Sequence, residues 1–289
     1  MSRVDKLYME MANKIKTIGI SELDVPNSEV RPVWDDGESA YAIYLPQQFI
    51  SYNPSETPLI SLRRIAWKTA IKEILWIYQD KCNDVNLLKE KYNVNYWDEW
   101  ANSEGNLGTA YGYQICKEFK SPETGEMTNQ IDRLINGLKN DPLNRRHFMT
   151  MLNMNELADM TLIPCAFMTM WTVAGNRLNM TLIQRSGDFL AAAAPGGINA
   201  FQYYALLLMV AKVTGYEPGE FVHFVQNLHI YNRHMPIVDE IIGKYDENKP
   251  VPKLVLNNDV KNFYEITIDD FELLDYNPDL TKYTIPIAV

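Results

Sequence analysis

Two β-rich runs, FMTMWTV from Phe167 and LNMTLIQRS from Leu178, flank the turn Ala174-Gly175-Asn176-Arg177, and no other stretch limits the possible folds so tightly. β-branched and aromatic residues on both sides of a Gly-Asn pair predict an antiparallel hairpin. The next segments add a second constraint. AAAAPGGIN, ending at Asn199, reads as a flexible Gly-rich connection, and Ala200 to Thr214 is almost wholly apolar until Gly215 stops it. Such a helix has the length of a core element, falls short of a membrane span and must be buried. A hairpin that needs sheet partners beside a helix that needs cover points to one α+β unit.

Periodicity places further elements around this centre. Leu7, Met11, Ile15 and Ile18 recur at helical spacing and predict an amphipathic helix over Val4 to Ile18. IAWKTAIKEILWIY, from Ile65 to Tyr78, is helical and apolar on most sides, so it should be buried. Another amphipathic helix is expected around Gln130 to Leu138, and one more near Pro236 to Ile242. Tyr41 to Ser51, bounded by Gly37 and Pro54, and Phe221 to Tyr231 read as strands. From Asn83 to Thr128 the signals weaken, and Lys120 to Asn129 reads as a surface loop. No repeat or linker divides the chain, so residues 1–289 are expected to form a single domain.

With 46% hydrophobic and 22% charged residues the chain has ample core material. A net charge of −10 and a pI near 5.0 argue against a protein that grips a polynucleotide backbone. Any anionic ligand must therefore meet a local cluster of arginines. The N-terminus lacks a leader-type apolar core and no long apolar run occurs, so no membrane association is expected. Cys82, Cys116 and Cys165 form neither a paired framework nor a zinc-type spacing. A reducing cytoplasm fits, and no metal is expected.

Cys165 follows Pro164 at the mouth of the hairpin. A lone cysteine there is by default a small buried hydrophobe. The hairpin, however, returns to Arg185-Ser186-Gly187-Asp188, and cross-strand pairing would bring an arginine beside the thiol, favouring the reactive thiolate. Arg145-Arg146, Arg31 and Arg185 each read as solvated charges when taken singly. Together, with Ser186 adjacent, they suit a phosphate grip. Glu73 lies within the apolar helix: either it shares one polar face with Lys68 and Lys72, or it is buried with a raised pKa suited to proton relay. Cys165 with His229 and Asn227 has the residue types of a cysteine-hydrolase triad, though triads are defined by geometry. His229, Tyr111, Tyr231, Trp97 and Trp100 are core residues by default. Both tryptophans also suit the stacking wall of a flat heterocycle site.

These motifs resemble the thymidylate synthase family. Arg31 in its loop, WKTAIKEILW, YWDEW, AYGYQ, NRRH, LIPC, QRSGDFLAA, GGINAFQY, LHIYNRH and the C-terminal IPIAV occur in that family's order over almost the whole chain. The resemblance is to enzymes of low-GC Gram-positive bacteria and their phages. It implies a mixed β-sheet packed by helices and a homodimer joined sheet to sheet. It also implies the reductive methylation of dUMP to dTMP, with 5,10-methylenetetrahydrofolate as one-carbon donor and reductant.

By the same resemblance Cys165 attacks carbon 6 of the uracil, making carbon 5 nucleophilic. Arg31, Arg185 and Ser186 would bind the phosphate, joined by Arg145 and Arg146 from a partner subunit. Asn199 would read the uracil edge, while His229 and Tyr231 would hold the sugar hydroxyl. Glu73 and Tyr111 would move protons. Asp188 would bind the pterin, Arg63, Trp97, Trp100 and Leu162 would line the folate site, and Ala288 and Val289 would close over the ligands. The catalytic set is thus Cys165, Glu73, Tyr111, Arg185, Asp188 and Asn199.

The sequence departs from the family pattern in several places. FLAAAAPGGI between Asp188 and Asn199 is longer than the common form, which bears on folate contacts. Ala166 stands where many members have histidine, Asn227 where many have aspartate, and Arg63 where many have lysine. The alternative activity is a pyrimidine nucleotide hydroxymethylase, adding water in place of hydride. Asn199 argues for uracil over cytosine, and Trp97 leans toward hydride transfer. A degenerate homologue kept as a binding module is the non-enzymatic reading, which Cys165, Glu73, Arg185 and Asn199 together oppose.

Overall fold

Ala166–Ala174 and Arg177–Gln184 form the hairpin, with Trp171 opposite Met180 and Gly175 turning the corner at φ 63°. The structure is a computed structural model that describes residues 2–257 and 259–288. Arg177–Gln184 runs parallel to Glu217–Tyr231, which pairs antiparallel with Ala42–Tyr52. Ile20–Ser21 closes one edge of the sheet and Phe148–Thr150 the other, while Gly187–Asp188 runs beside the end of Glu217–Tyr231. The sheet is therefore mixed, as expected.

Helices cover one face. The core helix Ile198–Thr214 packs on both central strands and on Trp67–Tyr78, burying Phe201, Leu206 and Leu207 with Leu182, Phe221 and Val225. Each such side chain contributes about 1.5–3 kcal/mol through its burial. Gly215, at φ 84°, ends this helix by donating its N–H to Ala211 and Lys212 carbonyls. Arg3–Ile18 starts at Ser2, whose hydroxyl accepts from Asp5 N. On the sheet's other face the register sets Phe49, Phe224, Ile183 and Met168 in one row, and Phe49 is 65% exposed.

Three expectations need correction. AAAAPGGIN is a packed connection: Phe189–Ala193 forms one π-helical turn, and Ala193, Ala194, Pro195 and Gly196 are buried. The Asp188 carboxylate holds this turn by accepting from Leu190 N and Ala191 N at 2.9 and 3.1 Å. Lys120 to Asn129 is a small antiparallel ribbon, Phe119–Lys120 with Met127–Thr128, and Asn129 caps the helix Gln130–Asn140. Finally, the weakly patterned region contains the helix Val85–Tyr92, capped by Asp84 and ended by Asn93 in the left-handed region. Two turns of VNLLKEKY carry too few apolar positions for periodicity to show.

Candidate active site

Cys165 sits at a break in the sheet. Pairing slips between Ala166 and Met168, so Phe167 is the extra residue of a β-bulge directly after the nucleophile candidate. The Cys165 carbonyl accepts from Arg185 N at 2.9 Å, which sets the two side chains beside each other. Arg185 Nη2 then lies 3.5 Å from Sγ, while the same guanidinium donates to the carbonyls of Ile163 at 2.5 Å and Pro164 at 3.1 Å. The predicted arginine-thiol contact is present, but its expected consequence is not. Burial raises the Cys165 pKa and Arg185 only partly offsets it. The reason is that Arg185 is exposed and shared among carbonyls, so its charge is screened.

Glu73 is buried and points away from the polar face of its helix, where Lys72 donates to the Tyr92 carbonyl. Burial lifts its pKa from the ordinary 4.5 to about 7, against the opposing pull of Gln202 and Trp97. Its Oε2, Trp97 Nε1 and Gln202 Nε2 are all buried without a hydrogen-bond partner. Two unmet N–H groups beside an unmet carboxyl oxygen mark a place built to receive polar ligand atoms. Tyr111 closes the group. Its ring lies 4.9 Å from that of Trp97, and burial beside Cys165 and Glu73 holds its hydroxyl well above the usual tyrosine range. Tyr111 also adopts φ 51° and ψ −116°, a strained backbone of the kind that collects at active sites. Trp100 stacks edge-on against Trp97 at 5.6 Å, and Leu162 packs on the same core.

A second group adjoins Cys165 through Tyr231. His229 and Tyr231 rings are 4.9 Å apart, and Asp188 and Cys165 both act on the Tyr231 hydroxyl. His229 Nδ1 meets Asn227 Oδ1 at 2.9 Å, so two members of the hydrolase-triad reading are paired. The third is not, because the side-chain partner of Cys165 is Arg185. Asp188, besides capping the π turn, faces His234 Nδ1 at 3.4 Å. Burial alone would raise its pKa, yet His234, His229 and the capping amides hold it below the carboxylate norm. His234 Nε2 in turn meets the Pro286 carbonyl, which brings the C-terminal segment, including half-buried Ala288, to this side. Val289 lies outside the described residues.

Asn199 opens the core helix. Its Oδ1 accepts from Gln184 Nε2 at 3.1 Å and its Nδ2 donates to Gln202 Oε1 at 3.1 Å. Gln184, Gln202, His223 and His234 went unread in the sequence, although a glutamine within an apolar helix is itself a signal, since burial demands a partner.

The arginines divide. Arg31 lines a cleft of about 330 Å³ with Ser28, Tyr44 and Asn227, close to the His229 group. Ser186 is half-buried after Arg185. Arg145 and Arg146 are exposed before the edge strand Phe148–Thr150, and Arg146 lines a separate groove with Arg133 and Lys117. Arg63, expected on the folate side, sits behind the π turn in the free chain. It is 9% exposed and donates to the Leu190 carbonyl at 2.6 Å, bracing the π turn from within. Among the described residues no His, Cys, Asp and Glu cluster could hold a metal, and no helix is long and apolar enough to cross a membrane.

Comparison with known proteins gives this arrangement its context. The thymidylate synthase family profile matches residues 6–289. The thymidylate synthase of Bacillus licheniformis is 39% identical over 290 residues, covering 100% of both chains. That of Bacillus phage phi3T is 39% identical over 96% of each. The solved structure of the thermostable thymidylate synthase A from Bacillus subtilis superposes with a TM-score of 0.90 at 38% identity, over 99% of each chain. The hydroxymethylase alternative finds no support among them. The chain belongs to the thymidylate synthase family, methyltransferases that convert dUMP to dTMP with 5,10-methylenetetrahydrofolate as co-substrate.

Proposed function

We propose that Cys165 is the nucleophile of this reaction and that the two groups flanking it divide the remaining work. The observation that carries the assignment is the enclosure of Cys165 between Arg185, 3.5 Å from the sulfur, and the Tyr111–Glu73 pair. The sulfur adds to carbon 6 of the uracil, and Arg185 supplies the nearby positive charge that favours its thiolate. Glu73, lifted to about 7, exchanges a proton near neutral pH and so serves the base, with Tyr111 as a neutral hydroxyl donor beside it. Asn199 reads the uracil edge, and His229 with Tyr231 holds the sugar. Arg31, Arg185 and Ser186 take the phosphate.

The folate, when bound, supplies the one-carbon unit and the hydride. Trp97, Trp100 and Leu162 form an apolar wall suited to a flat ring, and the unmet Trp97 Nε1 supports a polar contact there. Asp188 orients the pterin. The C-terminal segment that carries Ala288 closes the site and excludes water.

A second copy of the chain completes the phosphate site with Arg145 and Arg146, which are exposed beside the edge strand. The apolar row Phe49, Phe224, Ile183 and Met168 supports sheet-to-sheet pairing. The chain acts as one catalytic domain, in a cytoplasm that keeps Cys165 reduced. Incubation with dUMP and methylenetetrahydrofolate tests the whole reading: dTMP by mass with matching dihydrofolate absorbance is expected. Hydroxymethyl-dUMP without dihydrofolate, or no product, overturns it.

A further inference from the structure

An asparagine amide is nearly symmetric in shape, and this poses a problem for uracil reading. With its oxygen toward N3–H and its nitrogen toward O4 it matches uracil; rotated by half a turn it matches the N3 acceptor and amino donor of cytosine. Asn199 discriminates only if the rotation is blocked.

The block can be traced from a group whose polarity is beyond doubt. The Ser186 carbonyl only accepts, and it lies 2.9 Å from Gln184 Nε2. That contact orients the Gln184 amide. Its other N–H then meets Asn199 Oδ1, and its oxygen faces His223 Nε2 at 2.7 Å. His223 must therefore carry its proton on Nε2. It is wholly buried, which drives its pKa down to about 3, so the ring is neutral with Nδ1 bare, and Nδ1 has no partner. On the other side Asn199 Nδ2 donates to Gln202 Oε1, which turns Gln202 Nε2 toward Glu73. Gln184 and Gln202 are each 2% exposed, so water does not relieve a reversed amide.

We propose that His223 and Gln202 are positioning residues that lock the sense of the Asn199 amide and thereby set the preference for a uracil over a cytosine nucleotide. Both act through the Asn199 amide. His223 holds the far end of Gln184, and Gln202 holds the far side of Asn199. Reversing Asn199 would set oxygen against oxygen at Gln202 and nitrogen against nitrogen at Gln184, unless both glutamines turned as well. The Ser186 carbonyl and His223 Nε2–H oppose that turn. The inference rests on the assignment of Asn199 to the base.

The test is the ratio of dissociation constants for dCMP and dUMP, measured with melting temperatures. His223→Leu and Gln202→Leu should each narrow the ratio roughly tenfold, since each leaves a buried amide group unpaired in the native sense. His223→Gln, which can return a donor to the Nε2 position, should recover most of it. Asn199→Asp is the control. If it moves the ratio toward dCMP while both leucine variants stay within about twofold of the parent, the lock is wrong and Asn199 is right. If Asn199→Asp leaves the ratio unchanged, the assignment of Asn199 itself fails. A fall in melting temperature with an unchanged ratio assigns His223 a packing role only and overturns the proposal. Should His223→Leu not fold, Gln202→Leu carries the same expectation.

Discussion

Glu73→Gln separates what this carboxyl does for the reaction from what it costs the fold. An unfolded glutamate ionises near 4.5, whereas folded Glu73 holds its proton up to about 7. Below 4.5 both states are protonated and the group has no effect on stability. As pH rises from there the unfolded chain loses the proton first, so stability falls, and the fall ends once folded Glu73 also ionises above 7. At about 1.4 kcal/mol for each pH unit, the loss amounts to about 3 kcal/mol by pH 8. Glutamine carries no proton to lose. Relative to the parent, Glu73→Gln should thus gain about 3 kcal/mol between pH 4 and 8, most of it between 5 and 7. Urea unfolding of both proteins, at one protein concentration because a dimer's stability depends on it, gives the difference at each pH. The comparison across pH cancels any fixed packing effect of the new amide. Turnover should fall steeply in the same variant. A stability difference that is flat across this range would refute the reasoning, because it would mean Glu73 ionises normally within the fold.

Cys165→Ala should abolish dihydrofolate formation while dUMP binding stays measurable by calorimetry; appreciable turnover would remove the nucleophile assignment. Gly196 sits at φ 69°, and a Cβ there would stand 2.9 Å from Ile60 N and closer still to Val4 Cγ1. Gly196→Ala should therefore cost about 3 kcal/mol from backbone strain and overpacking, and a urea midpoint equal to the parent's would show that the connection at Gly196 yields. Arg146→Ala and Cys165→Ala should each be inactive alone, yet mixing and re-forming dimers should restore about a quarter of parental activity per subunit, since half the dimers are mixed and carry one intact site. No recovery on mixing would place Arg146 outside the partner's site.

Much of the fold was legible because its signals are local. The Gly175-Asn176 hairpin, the apolar run to Thr214 and the IAWKTAIKEILWIY helix each state their structure within a dozen or so neighbours, and all three are where periodicity puts them. The order of motifs made the family legible too, from Arg31 to the C-terminal IPIAV. Signals of only two turns, such as VNLLKEKY, were lost. A Gly-rich string suggested freedom, where Asp188 and the close approach of Ile60 to Gly196 impose a packed turn.

The site shows the sharper division. Residue types nominated Cys165 and Arg185, and the family resemblance added Asn199, because chemistry depends on which atoms a side chain carries. What those atoms do depends on burial and direction, and both belong to the assembled fold. Only the tertiary structure decided that Glu73 faces Trp97 and Gln202 instead of Lys72, that burial outweighs Arg185 at the thiol, and that Arg63 braces Leu190. Desolvation and hydrogen-bond direction are set by neighbours distant in sequence, so no local pattern records them.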